Sequence, residues 1–299
     1  MRPVALSGRL RMVVSMVTQG SRVCDVGCDH GFVSIYLVEQ EISPHVLAMD
    51  VREGPLGAAR KHVSKRGLGA LIETRLSDGL HKFIVGEADS LICAGMGGSL
   101  MMRILGDEKA KTESFRELIL QPQSEVEQFR AWLREQGYRI TDEKMVEEDG
   151  KFYPMMRAVT KNIDRSGRGS AFREKIAMDA VIQEETADLP WIWEYIDILD
   201  STDNMDILNL SKAIELLGSG KIEKDELCKL FDRYGAYLLL RGDATLKTWL
   251  MQEERIYGEI LEQLKKQGIY SGRRKRRYTE VENLREGCRI AQKIMGTGN

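Results

Sequence analysis

Residues 23–31 read Val-Cys-Asp-Val-Gly-Cys-Asp-His-Gly. A short apolar run ends on Asp25, Gly27 stands where the chain turns, and Gly31 stands where the next helix opens. Such a strand–turn–helix junction places a ligand across the carboxyl end of the strand. Gly27 lets backbone approach that ligand where a Cβ would hold it off. The spacing D-x-G-x-x-x-G is a weak signal by itself, and two ligand classes compete for it. A dinucleotide needs G-x-G-x-x-G, so that its pyrophosphate rests on a bare helix N-terminus. Here Cys28-Asp29-His30 fills the middle, and an acid at Asp29 repels a pyrophosphate. Asp25 and Asp29 suit a cationic group instead, and S-adenosylmethionine carries both an ammonium and a sulfonium.

Working outward, Arg22–Asp25, His45–Asp50, Leu71–Leu76, Ser90–Ala94 and Glu117–Gln121 each have the length and apolar content of a buried strand. Helix-length segments separate them. Repeated strand–helix–strand units predict a parallel sheet covered on both faces and doubly wound by right-handed crossovers. Past Gly137 the pattern changes. Tyr138–Val146 and Phe152–Thr160 flank Asp149-Gly150, a hairpin signal, so an antiparallel pair is expected to close the sheet.

Three further features fall where such a ligand needs them. Asp50 ends the second strand, where an acid accepts from both ribose hydroxyls. Asp78, in Ser77-Asp78-Gly79-Leu80 after the third strand, is placed to accept from the exocyclic amine of an adenine, with Gly79 allowing close approach. Ala94-Gly95-Met96-Gly97-Gly98 after the fourth strand opens the pocket floor beside a transferable methyl group. One acid at a strand end is commonplace; acids or glycines after four successive strands are not.

The chain has 299 residues, with 44 Lys+Arg against 46 Asp+Glu and a formal net charge of −2, which excludes a uniformly basic nucleic-acid binder but leaves room for local basic patches. No apolar run approaches the roughly 18 residues that a membrane-spanning helix requires. Residues 1–22 lack the long apolar core and small-residue cleavage site of a secretory signal, so a cytoplasmic protein is expected. Five irregularly spaced cysteines read as free thiols in a reducing compartment. Cys24, Cys28, His30 and Cys93 do not read as a metal site, because Cys24 lies within a buried strand and no C-x-x-C pair exists.

DVGCDHG, the turn Ala48–Pro55, Leu76–Leu80, Cys93–Gly98 and Leu120–Gln123 resemble the bacterial tRNA (adenine-N1)-methyltransferases that modify adenine 22. Leu6–Leu10 and the Glu148–Tyr153 hairpin match as well. The resemblance is dense over residues 5–160 and resumes at Tyr234–Leu238 and in the final helices. It implies a class I, Rossmann-like fold, S-adenosylmethionine as methyl donor, tRNA as acceptor and a coiled-coil-like C-terminal domain. The family loop carries Ser where Cys28 stands and Ala where Gly31 stands, both small. Residues 164–230 are longer than the family pattern.

The organisation expected is a catalytic domain over 1–160, a helical acidic insertion over 161–230 and a helical hairpin over 231–299 that positions tRNA. From Ile176 to Ser211 there are nine acids and no Lys or Arg, which would repel RNA. Leu246, Trp249, Ile256, Ile260 and Leu264, then Val281, Leu284, Cys288, Ala291 and Met295, fall at helical spacing, with Gly268–Arg277 as the connecting tip. The cofactor set expected is Asp25, Gly27, Asp29, His30, Asp50 and Val51, with Asp78, Gly79, Ala94, Gly95, Met96 and Gly97. His30 reads equally as a helix-start residue. Asp29 is the expected catalytic group, because methylated adenine is cationic and a nearby carboxylate stabilises that charge. Arg9, Arg52 and the exposed-looking run Arg273, Arg274, Lys275, Arg276 and Arg277 are the expected tRNA contacts. A methyltransferase for a small molecule or protein is the alternative, and the basic tip argues against it. A tRNA-binding protein without catalysis is disfavoured by the intact acids, and a nicotinamide oxidoreductase by Asp29.

Overall fold

The computed structural model describes residues 4–160, 204–268 and 272–296. Contacts divide the chain into two compact units, Met1–Arg168 and Gly169–Asn299.

In the first unit, seven strands form one sheet: β1 (Val23–Val26), β2 (Val46–Asp50), β3 (Ile72–Leu76), β4 (Ser90–Met96), β5 (Glu117–Pro122), β6 (Tyr138–Glu148) and β7 (Lys151–Thr160). Their order is β3-β2-β1-β4-β5-β7-β6. The first five are parallel, and β7 runs antiparallel to both β5 and β6. The expected doubly wound α/β fold with a closing hairpin is what the chain forms. Neighbouring residues of one strand point to opposite faces, and both faces are buried through β1, β2, β4 and β5; β3, expected as a buried strand, is instead an open edge, with Leu71 and Leu76 exposed. Val23, Val46, Ala48, Ile92 and Ile119 pack with Ile35, Leu37, Leu56, Ala59 and Val63 on one side. Cys24, Leu47, Leu91, Cys93 and Leu118 pack with Met101, Leu105, Phe129 and Leu133 on the other. The first layer comes from helices α1 (Gly8–Val14), α2 (Phe32–Glu39) and α3 (Glu53–Lys65). The second comes from α4 (Gly98–Asp107) and, after the short α5 (Lys109–Thr112), α6 (Val126–Glu135).

The strands run further than their apolar cores suggest. β6 and β7 extend until only Asp149 and Gly150 join them, both left-handed at φ 52° and 71°. β4 stays paired to β5 as far as Met96, with a register shift at Gly95, so the glycine turn begins inside the sheet.

At the amino-terminal edge of the sheet, Glu117 is buried at the start of β5. Its Oε1 accepts from the Thr18 N–H at 2.8 Å and from Ser90 Oγ at 2.7 Å. Its Oε2 accepts from Thr18 Oγ1 at 2.7 Å and lies 3.5 Å from Arg157 Nε. One carboxylate thus ties the segment after α1 to β4, β5 and β7. A buried charge is tolerated only when its oxygens are this fully engaged.

The second unit is helical over its described residues: α7 (Asn204–Gly218), α8 (Lys224–Tyr234), α9 (Ala236–Leu240), α10 (Ala244–Lys266) and α11 (Gly272–Ile294). Tyr234, Ala236, Tyr237 and Leu238 are buried, so this motif is core. The Tyr234 hydroxyl lies 3.2 Å from Cys288 Sγ. Helices α10 and α11 pack as the expected hairpin, where Glu254 accepts from Arg289 Nε at 2.9 Å and from Gln292 Nε2 at 3.1 Å. Leu246, Leu250 and Leu261 bury on α10, whereas Ile256, expected in the seam, is 42% exposed. The tip also differs from expectation. Arg273–Arg277 are not loop residues but the exposed opening turns of α11. Arg274 Nη1 donates to the Gln267 carbonyl at the end of α10, at 2.7 Å. Of the acidic insertion, residues 161–203 lie outside the described residues. Among the described residues, no helix is long and apolar enough to cross a membrane.

Glu117→Ala leaves three donors without their acceptor and Arg157 without its counter-charge. The variant is expected to lose about 3 kcal/mol or more of unfolding free energy, read from the urea midpoint of the purified protein.

Candidate functional site

The sheet order reverses between β1 and β4, and a cleft of about 560 Å³ opens there at the carboxyl ends of the parallel strands. Asp25, Gly27, Asp29, His30, Asp50, Val51, Asp78, Gly79, Ala94, Gly95 and Met96 all line it, together with Arg9 and Arg52. Residues from four separate strand ends are thus gathered into one space. Gly97 does not line the cleft. A Cβ there would meet Ser124 Oγ at 2.9 Å, on the loop before α6. Arg273–Arg277 belong to the second unit.

Gly27 has φ 77°, and a Cβ on it would lie 2.8 Å from Met96 Cε. The bare α-carbon lets the Met96 side chain lie against the β1 turn, at the point where strand order reverses. Asp50 is buried, yet both its oxygens are aimed. Oδ2 accepts the Asp29 N–H at 3.1 Å and Oδ1 accepts the Arg52 N–H at 2.8 Å. A carboxylate offers about four acceptor positions, so roughly two remain for a ligand. The first of these bonds holds Asp29 at φ 49°, a conformation a non-glycine residue seldom takes. The Asp29 side chain is exposed, 3.7 Å from His30 Nε2 and 3.8 Å from Arg52 Nη2. Pairs this open to water hold little energy.

Asp25 differs. It is buried and accepts from Ser34 Oγ at 2.6 Å. Burial pushes its carboxyl up to about 6; nearby Asp50 adds to the rise, and the Ser34 hydrogen bond opposes it. The Cys28 thiol is pushed up by burial first, then by Asp25, Asp50 and Asp29. It therefore stays protonated and is no nucleophile. Asp78 is exposed, and its two oxygens lie 3.3 Å from the two Nη atoms of Arg103. Arg9 reaches the cleft from α1. Its Nη1 donates to the buried Gln121 at 2.6 Å, and its guanidinium lies 5.5 Å from the centre of the Tyr153 ring.

Leu100, Arg103 and Ile104 also line the cleft and were not anticipated. Their i, i+3, i+4 spacing on α4 marks a single helix face and was the signal available. Phe32 and Val33, at the start of α2, were likewise passed over. Phe32, Val51 and Leu100 are exposed apolar side chains here, at 42%, 58% and 40%. Among the described residues, no group of three or more His, Cys, Asp or Glu is placed to hold a metal ion.

Residues 6–156 match a family model described as a methyltransferase domain. The curated tRNA (adenine(22)-N(1))-methyltransferase of Bacillus subtilis is 36% identical over 169 residues, which is 56% of this chain and 71% of that one. The crystal structure of the B. subtilis M1A22 tRNA methyltransferase TrmK superposes with a TM-score of 0.67 at 24% identity, covering 98% of this chain and 99% of that chain. A structure of M. capricolum TrmK, in complex with S-adenosyl-homocysteine, gives 0.65 at 20% identity over 97% and 99%. At these identities the structural likeness speaks for the fold. The sequence match carries more: by its methyltransferase domain and its B. subtilis relative, the chain belongs to the tRNA (adenine(22)-N1)-methyltransferase family.

Proposed function

We propose that this protein transfers a methyl group from S-adenosylmethionine to N1 of adenine 22 in tRNA, and does so in the cytoplasm. The observation that carries the reading is the buried, doubly anchored Asp50 beside Gly27 in a cleft built from four strand ends, within a chain that matches a B. subtilis enzyme of that name. The residues fit the cofactor. The cleft has the volume of a small-molecule site. The free acceptor positions of Asp50 suit a ribose diol, and Val51 and Leu100 offer apolar surface for an adenine ring. Asp25 and Asp29 suit the ammonium and the sulfonium.

When bound, S-adenosylmethionine supplies a methyl carbon on a sulfonium, which N1 of adenine attacks as the carbon–sulfur pair returns to sulfur. Adenine N1 is a neutral lone pair, so no base has to remove a proton first. Positive charge moves from sulfur to the purine. The exposed Asp29 carboxylate stabilises charge at both ends of that movement, and alignment does the rest. Asp50 orients the ribose. Met96, held against Gly27, sets the floor below the reacting atoms. Arg9 is fixed by Gln121 and steers the acceptor strand. Arg52 and the exposed basic opening turns of α11, Arg273–Arg277, bind phosphates. We assign residues 1–160 to catalysis, 161–230 to an insertion and 231–299 to tRNA positioning, with α8 running through the second boundary. The target base has to leave its stack to reach the cleft, at a cost of a few kcal/mol in a duplex.

Incubation of wild-type protein with labelled S-adenosylmethionine and unmodified tRNA, followed by nucleoside mass spectrometry, is expected to yield 1-methyladenosine at position 22. Asp50→Ala is expected to weaken cofactor binding at least 10-fold by isothermal titration. A product on a small molecule or protein, with none on tRNA, would replace the reading.

Asp25 gives a pH dependence with a defined sign. A proton and the cofactor ammonium compete for one buried carboxylate, so affinity is full above pH 7 and falls as pH drops through about 6. Titrations between pH 5 and 8 should show that fall in wild type and a weaker but flat profile in Asp25→Asn.

Replacing Arg273–Arg277 with glutamines is expected to raise KM for tRNA and to flatten its salt dependence, with cofactor affinity unchanged. Measuring KM at several salt concentrations checks it; an unaltered slope would remove these residues from tRNA binding.

A further inference from the structure

The start of α2 carries a feature to which the cofactor reading assigns no role. Gly31 has φ 74°, and a Cβ on it would come within 3.0 Å of Ala59 Cβ. Without that Cβ, α2 begins directly against α3. Ala59 and His62 are three residues apart on α3 and so share a face. The contact that seats Gly31 on Ala59 therefore brings the next residue, Phe32, onto His62. The two rings stack, with centroids 5.0 Å apart and planes 19° from parallel. The imidazole is held by its Nδ1, 3.0 Å from the His30 carbonyl oxygen, and the exposed His30 ring lies 6.0 Å from Phe32. Phe32 is thus backed by one ring, lines the cleft, and keeps 42% of its surface open.

An aromatic ring left open to water and braced from behind has a cost that a bound partner repays. Two chemistries meet at this place. The rings offer a π surface, and exposed cations lie in the same turns. Arg52 precedes α3, while Lys61 and Lys65 stand exposed on that helix. Arg60 is already engaged by Glu53, and Arg66 by Glu39. The nearby exposed acid, Asp29, lies within 3.8 Å of Arg52. Aromatic rings beside phosphate-binding cations are the pattern on which single-stranded bases stack, with about 1–3 kcal/mol per base.

We propose that Phe32, braced by His62, is the stacking platform for an unpaired tRNA base at the cleft mouth, one that neighbours the methylated adenine. The proposal rests on the tRNA methyltransferase reading. It makes Phe32 a positioning residue: it holds the substrate strand in register so that the target base enters the cleft. His62 acts through Phe32, by holding the ring in place.

Four variants separate this from simple packing. Phe32→Leu keeps apolar bulk but removes the π face, and is expected to raise KM for tRNA at least 5-fold with kcat changed less than 2-fold. Phe32→Tyr is expected to restore the wild-type KM, and His62→Ala to give an intermediate rise. Phe32→Trp is expected to show fluorescence quenching on addition of tRNA in excess of that in wild type. That titration is done with no methyl donor present, so it stands or falls independently of turnover. Wild-type KM in Phe32→Leu, or no extra quenching in Phe32→Trp, would overturn the platform. So would a rise in KM matched by an equal loss of S-adenosylmethionine affinity, which would assign the ring to the cofactor. Absence of 1-methyladenosine in wild type would instead remove the methyltransferase reading, with the quenching result still deciding whether a base stacks on Phe32.

Discussion

Asp50 is nearly withdrawn from solvent at the floor of the cleft, and the two loops around it are organised to satisfy it. Its two backbone donors come from different loops, Asp29 from the loop after β1 and Arg52 from the loop after β2. The bond to Asp29 fixes a left-handed residue in the first loop. That in turn points the Asp29 side chain outward beside His30 and Arg52. The next residues, Gly31 and Phe32, are then delivered to α3. A buried carboxylate with one donor removed is expensive, so the loops cannot relax apart independently. The site is in this sense preorganised by an acid that never needs to touch the reacting atoms.

The two ends of the sheet divide the work. At the amino-terminal edge, Glu117 collects donors from Thr18 and Ser90 and the charge of Arg157, and all of its partners are protein. At the carboxyl-terminal edge, Asp25 is buried and hydrogen-bonded by the hydroxyl and backbone of Ser34, with no counter-charge beside it among the described residues, and its carboxyl is pushed up to about 6. One acid is spent on holding the fold. The other faces the cleft, and burial rather than a counter-charge sets its carboxyl.

The alternation of apolar runs with helix-length segments was enough to place the five parallel strands, most clearly β1, β2, β4 and β5, whose burial on both faces writes them as apolar runs, and Asp149-Gly150 marked the hairpin of β6 and β7. Asp25, Asp50 and Asp78 were legible because each follows such a run directly. What was not legible has physical reasons. Gly97 looked like Gly95, but only three-dimensional packing reveals that it faces Ser124. Arg103 lies on a helix whose apolar face was already explained by the core, and its pairing with Asp78 spans 25 residues. Ile256 matched the helical repeat yet lies outside the seam, since a spacing of three or four alone does not fix which face turns inward. The Phe32–His62 stack depends on an approach between two helices that no local pattern encodes.

Arg9 has a temporal consequence. Its guanidinium is held by Gln121, its backbone N–H by Glu148 at 3.3 Å, and its cation faces Tyr153. These partners lie 112 to 144 positions later in the chain. A polypeptide leaving the ribosome in order therefore exposes Arg9 long before the partners of its side chain exist, although α1 can already meet α2. The cleft wall that Arg9 completes closes only after the β6–β7 hairpin has emerged, so its last part to form is built from its first part made.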